Sequence, residues 1–182
     1  MSAGAAKALT SEGLKNHFEL FGLAPAFALD LDHLDRAYRD IQAEVHPDRF
    51  AHAGDAERRA SMQMTTQVNE AYRTLKSPVR RAKYLLELNG VDVGFETNTA
   101  MPREFLMQQM ELREKLEEAK NGSDLDSISA DLSVSRREIE HQIEEMIDGK
   151  HDYKSASDLV RKLMFLERFG EEIDAAYETL DA

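Results

Sequence analysis

Cysteine and tryptophan are absent from the 182 residues, and glycine and proline number only 9 and 4. Without cysteine the chain can build no disulfide framework, no thiolate zinc site, no cysteine-ligated iron–sulfur cluster and no cysteine nucleophile. Long apolar stretches are missing as well. Charges interrupt each hydrophobic run after a few residues, far short of the ~20 that a membrane-spanning helix requires. Met1 to Leu9 is alanine-rich with a single Lys7, and has neither the apolar core of a secretion signal nor the arginines of an organelle transit sequence. The expectation is a soluble, cytoplasmic protein in a reducing compartment, made of one long domain or two short ones, with no part in a membrane.

Charge is plentiful but unevenly placed. The chain carries 35 acidic and 23 basic side chains for a net charge of -12; residues 1–88 hold 12 of each sign, and residues 89–182 hold 23 acidic against 11 basic. The whole excess therefore sits in the second part. An acidic body argues against nucleic acid, whose binding depends on lysine and arginine neutralising phosphates. A basic partner, or simply a solvated acidic face, fits better.

The scarcity of glycine and proline leaves a chain filled with good helix formers, and an all-α protein is expected. Leu34, Tyr38, Ile41 and Val45 recur at helical spacing after the acidic caps Asp30 and Asp32. That helix must stop at His46, because Pro47 disfavours helical dihedrals in the residue before it. A loop over 47–55 follows, then a second long helix marked by Ala60, Met64, Val68, Ala71, Tyr72 and Leu75, ending at Lys76-Ser77-Pro78, and a short basic helix over 79–88. The earlier apolar run 17–23 predicts a helical turn or two packed under this hairpin. Residues 89–102 contain two glycines, two asparagines and a proline and read as a linker. Beyond it, helical patterns over 103–120, 124–148 and 152–180 are joined by short loops, which predicts an antiparallel three-helix bundle. The domains expected are thus 15–88, a linker 89–102, and an acidic domain 103–182.

His46-Pro47-Asp48, in the turn between two amphipathic helices, is the most specific feature. Pro47 fixes φ and ends the helix, Asp48 offers a carboxylate acceptor, and His46 presents a ring that both donates and accepts near neutral pH. Three readings stand side by side: a polar docking corner, a plain helix stop, or a general-base pair. No serine, threonine or cysteine nucleophile in a comparable motif, and no phosphate-cradling glycine loop, accompanies the third. At about 100° per residue, Tyr38, Ile41 and Val45 lie within about 40° of Leu34, while Arg36 and Arg39 point the other way as a small basic face, with Asp35, Asp40 and Glu44 around them.

Together with this tripeptide, Ala37-Tyr38-Arg39-Asp40-Ile41, Arg49-Phe50, Asn69-Glu70-Ala71-Tyr72-Arg73-Thr74-Leu75, Ser77-Pro78 and Arg81-Ala82 follow in order. In this the sequence resembles the J-domain of J-protein co-chaperones. The resemblance implies that His46, Pro47, Asp48, Arg36 and Arg39 dock on the ATPase domain of a seventy-kilodalton heat-shock chaperone and provoke hydrolysis. Neither a glycine- and phenylalanine-rich stretch nor a repeated cysteine zinc motif follows. Instead, Arg80-Arg81-Ala82-Lys83-Tyr84-Leu85-Leu86, the stretch from Phe105 through Glu114, and Val160 through Leu166 are similar to the HscB-type J-proteins of iron–sulfur cluster assembly. That resemblance implies an HscA-type chaperone and an IscU-type scaffold as partners, no catalysis by the chain itself, and a scaffold-binding set of Leu106, Met107, Met110, Glu111, Glu114 and Phe165.

Helical geometry points to the same region on its own terms. With Phe105 at 0°, Gln109, Leu112, Leu116 and Ala119 fall within about 40°, whereas Leu106, Met110 and Met107 lie at about 100°, 140° and 200°. A second apolar patch therefore lies outside the core stripe, ringed by Glu111, Glu114 and Glu117, as in the anatomy of a partner site, and methionines suit a surface that adapts to its ligand. Burial of this patch by packing is the competing reading. On the last helix the stripe Leu159, Leu163, Leu166, Ile173 and Tyr177 leaves Phe165 outside, at about 240° from Leu159. The histidines form no convincing metal site: His46 and His52 share a loop without a carboxylate cluster, His141 and His151 lie in separate elements, and His17 and His33 are isolated. No metal and no cofactor are expected. Two other classes remain in view, a hydrolase built on His46 and Asp48 and a structural adaptor, as does a J-protein delivering another client through the same patch.

Overall fold

The computed structural model describes residues 16–50, 52–94 and 102–180, and among these only helices, turns and loops occur. The reading of the first nine residues and much of the expected linker, residues 95–101, lie outside the described part. The chain divides into two compact units, Met1–Arg81 and Ala82–Ala182.

In the first unit a single turn, α1 (His17–Leu20), is capped by Asn16, whose Oδ1 accepts from Glu19 N–H at 3.0 Å. It buries Phe18, and the turn after it buries Phe21. Helix α2 (Leu31–Val45) starts at Asp30, whose carboxylate accepts from His33 N–H at 2.9 Å, satisfying one of the orphan donors of a helix start. A 3-10 turn, Pro47–Phe50, occupies the front of the expected loop. Helix α3 (Asp55–Lys76) then runs back antiparallel to α2, as the pairings Asp35–Lys76, Tyr38–Asn69 and Val45–Ser61 require. Leu34, Val68, Ala71 and Leu75 are buried in the hairpin, with Phe18 and Phe27 fully or nearly so. Arg81, at the end of this unit, is buried with its guanidinium 5.0 Å from the Phe27 ring centre and donates to Leu75 O at 2.7 Å.

Helix α4 (Pro78–Leu88) contains the point of division. Residues 89–94, expected to begin a linker, are held in place within the second unit. Asn89 donates to Leu85 O, Gly90 takes φ +72° where Val91 N–H closes back on Leu86 O, and Val93 is buried with its carbonyl accepting from the buried Arg161 at 2.8 Å. A side-chain-free residue serves that left-handed position at no steric cost.

The rest of the second unit is a three-helix bundle of α5 (Arg103–Glu118), α6 (Gly122–Glu144, continued by a wider turn, Glu145–Gly149) and α7 (Tyr153–Leu180). Ile128 and Leu132 of α6 pack with Leu166, Phe169 and Ile173 of α7, and Leu112 and Leu116 of α5, with Ala119 just past its end, close the core. The register follows from pairs of known order. Tyr177 donates to Asp126 at 2.6 Å and Leu132 faces Gly170, so α7 runs antiparallel to α6; Phe105 meets Phe165 and Arg113 reaches Glu172, so α5 runs with α7 and opposes α6.

Candidate functional site

The tripeptide corner sits where α2 ends, and its side chains are open to solvent: 51% of His46 and 90% of Asp48 is exposed. His46 Nδ1 lies 3.3 Å from the backbone N–H of Asp48 as acceptor and 3.5 Å from its carboxylate. Nδ1 is thus engaged with Asp48, which leaves Nε2, at the far side of the imidazole, outside that contact. Among the described residues the polar partner of the His46 ring is Asp48.

No glycine follows α2 to close its carbonyls, and Pro47 has no N–H to give. Other groups do it. Arg49 Nη1 donates to Ala43 O at 3.0 Å, and Val45 O accepts from two hydroxyls of α3, Ser61 Oγ at 2.6 Å and Thr65 Oγ1 at 3.2 Å. Sequence reasoning passed over both hydroxyls, since one serine or threonine on a helix looks like any solvated polar residue. The only available signal was the i, i+4 spacing of Ser61 and Thr65 on the α3 face that also carries Val68.

Arg36 and Arg39 are exposed on α2, as the periodicity requires. Asp35, grouped with them from sequence, turns away. Its carboxylate accepts from Lys76 at 2.6 and 2.8 Å and from the Tyr72 hydroxyl at 3.0 Å. The Lys76 bond, aided by Tyr72 and opposed by partial desolvation, holds Asp35 below the ordinary carboxylate value, and Asp35 in turn raises Lys76. Asp40 and Glu44 remain exposed on α2. Further along the hairpin, Tyr38 and Gln42 both donate to Asn69 Oδ1, at 3.0 and 2.8 Å, while the Tyr38 and Tyr72 rings stack 4.0 Å apart. A ladder of polar and aromatic pairs thus fixes α2 on α3 along its length.

In the second unit, Leu106, Met107 and Met110 of α5 are 43%, 52% and 63% exposed, while Phe105, one residue away, is buried. Glu111, Glu114 and Glu117 are exposed beside them. Three large apolar side chains on one turn and a half of helix, rimmed by carboxylates, form a cohesive surface that the bundle itself does not cover. Phe165 departs from the expectation that it lies outside the core. It is half-buried against the core cluster, edge-on to Phe105 at 5.6 Å and beside Phe169 at 6.2 Å, with Arg113 over its ring. The last helix buries a wider arc than one stripe, from Ala156 and Val160 through Phe169, because α5 and the residues around Val93 pack on it in addition to α6. Phe165 and Glu111 also line a cleft of about 590 Å³ between the bundle helices, with Gln108, Lys115, Val134 and Lys162 among its walls. The candidate residues therefore split: Leu106, Met107, Met110 and Glu114 stand on the outer face of α5, while Glu111 and Phe165 border the cleft.

Residues 16–84 match the DnaJ domain family, and residues 101–174 match the family described as the HSCB C-terminal oligomerisation domain. The chain is 49% identical over 170 residues to the co-chaperone protein HscB homolog of Aromatoleum aromaticum, covering 92% of this chain and 96% of that one. It is 52% identical over 169 residues to the homolog of Burkholderia thailandensis, covering 91% and 96%. Among solved structures, chaperone HscB from Vibrio cholerae matches with a TM-score of 0.81 at 35% identity over 91% of this chain and 99% of that one. Human co-chaperone HscB matches with a TM-score of 0.86 at 29% identity, over 90% and 83%. The J-domain match places the chain among co-chaperones, whose partners are chaperones of the seventy-kilodalton heat-shock class. By the identity and coverage of these matches, on both of its parts, the chain belongs to the HscB family of J-domain co-chaperones.

Proposed function

We propose that this co-chaperone, working in the bacterial cytoplasm, stimulates the ATPase of an HscA-type chaperone with residues 15–88 and delivers an IscU-type iron–sulfur scaffold to it with residues 103–182. Arg36 and Arg39 attract the acidic partner surface, His46 Nε2–H and the Asp48 carboxylate make directional contacts, and Pro47 keeps both on a fixed turn. Hydrolysis belongs to the chaperone. Leu106, Met107 and Met110 anchor the scaffold, with Glu111 and Glu114 selecting its basic groups and Phe165 backing the patch. The cluster travels on the scaffold and does not bind this cysteine-free chain.

The observation that carries the reading is the exposed His46-Pro47-Asp48 corner at the end of a helix whose last carbonyls are closed by Arg49, Ser61 and Thr65. The test is a steady-state ATPase titration of the chaperone with this protein, with and without scaffold, beside calorimetric titration of the protein with scaffold alone. Stimulation that is greatest with both present, and direct scaffold binding, are expected. A chaperone indifferent to the protein would sink the first half of the proposal, and binding of a different client in place of the scaffold would replace the second.

A further inference from the structure

Most carbonyls of α2 are satisfied within the helix, but the last ones meet a proline and must find donors elsewhere. Val45 is the residue immediately before His46, and its carbonyl is closed by two hydroxyls from the facing helix. Ser61 is buried, 5% exposed, and its Oγ lies 2.6 Å from that oxygen; Thr65, one turn on, lies 3.2 Å from the same atom. Two donors on one acceptor, from a separate element, fix both the position and the direction of the Val45 carbonyl. Since the peptide unit is planar, they fix the His46 nitrogen as well. From there the turn is held by Arg49 N–H to His46 O at 3.0 Å and by Arg49 Nη1 to Ala43 O.

We infer that Ser61 and Thr65 are positioning residues for chaperone stimulation: their hydroxyls preorganise the His46-Pro47-Asp48 corner in the pose that the chaperone reads, without touching it. The inference rests on the corner's proposed role as the trigger. With the hydroxyls removed, the last turn of α2 frays and the docking pose is populated only part of the time. A partner then sees an affinity reduced by that fraction, while a corner that has docked still triggers hydrolysis. Preorganisation thus changes the half-saturating concentration and leaves the maximal stimulation in place. Loss of a contact atom, as in His46→Gln, lowers the maximum.

Full-length wild type, Ser61→Ala, Thr65→Val, Thr65→Ser, the double variant Ser61→Ala/Thr65→Val and His46→Gln are titrated into the chaperone's ATPase assay, each with a thermal melt. The double variant is expected to raise the half-saturating concentration by about tenfold, the scale of losing hydrogen bonds of ordinary strength, with maximal stimulation unchanged. Thr65→Val raises it by about threefold, while Thr65→Ser, which keeps the hydroxyl and drops the methyl group, behaves as wild type. Amide exchange at Arg49, whose N–H is bonded to His46 O, quickens most in the double variant, less in Thr65→Val and not in Thr65→Ser. Thr65→Val nearly preserves side-chain volume and decides the matter if the double variant melts below the assay temperature. A Thr65→Val curve superimposed on wild type, beside a His46→Gln variant that no longer stimulates, overturns the positioning role and leaves the trigger intact. Absence of stimulation by wild type overturns the functional reading itself.

Discussion

In the proposed mechanism His46 serves the trigger far more than it serves the fold. Its ring is half exposed and its polar contacts among the described residues are with Asp48, so His46→Gln is expected to shift stability by no more than about 0.5 kcal/mol. Stimulation of the chaperone should vanish, while calorimetric binding to the scaffold stays as in wild type. A variant that stimulates normally would remove the corner from the mechanism. Phe165 is the opposite case, because half of it belongs to the core. Phe165→Ala opens space beside Phe105 and Phe169 and is expected to cost about 2 kcal/mol, below the ~3–5 typical of a fully buried ring. Any loss of scaffold binding in that variant must be read beside its melting curve. Met110→Ala, at a residue 63% exposed, removes a proposed anchor and is expected to leave the melt almost unchanged.

At the level of the helix, α2 carries two different faces. Arg36 and Arg39 look outward, and reversing both charges should slow association with the chaperone by an amount that shrinks as salt rises, since exposed charges are screened over ~8–10 Å near physiological ionic strength. Stopped-flow association rates at low and high salt check this; an effect independent of salt would mean a packed contact instead. Asp35 looks inward to Lys76 and Tyr72. Its carboxyl is held below the ordinary 3.8, so its stabilising contribution is complete above that value and is lost as pH falls through the lower folded one; Lys76 is raised above 10.5 and loses its contribution as pH rises through the folded value. The pair therefore acts fully between about pH 4 and 10.5. Asp35→Asn should melt below wild type at pH 7, with the gap closing as both are taken into acid below the folded value. These faces show what the sequence makes legible. Period 3.6 placed Leu34, Val45 and the arginines, and it separated Leu106, Met107 and Met110 from Phe105, because each depends only on one helix's own geometry. Periodicity alone groups Asp35 with the arginines, leaves Ser61 and Thr65 unmarked and sets Phe165 outside the core, because each is decided by a neighbouring helix that it cannot see. Residues 89–94 read as linker by composition, yet the Arg161 bond to Val93 O, between positions 68 apart in the chain, ties them to the bundle.

Across the whole chain, a charge-balanced first part precedes an acidic second part, and the two proposed contacts lie in separate units, His46 in one and Leu106 in the other. If the purpose of the chain is delivery, the covalent link between the units is itself functional, because it turns encounter of a bound scaffold with the chaperone into a local event at high effective concentration. Two half-defective proteins test that claim. His46→Gln retains the scaffold surface; Leu106→Ala/Met107→Ala/Met110→Ala retains the corner, and its fold should persist, since all three side chains are more than two-fifths exposed. Each loses a different half of the activity: the first gives no stimulation, and the second stimulates the chaperone but no longer enhances the effect of scaffold. Mixed in equal amounts, they should fail to restore the joint stimulation that wild type gives with scaffold. His46→Gln should moreover inhibit wild type by holding scaffold on a molecule that cannot trigger hydrolysis, with the inhibition relieved by excess scaffold. Restoration of full joint stimulation by the mixture would show that scaffold and trigger act independently on the chaperone, and that the link between the two parts carries no function.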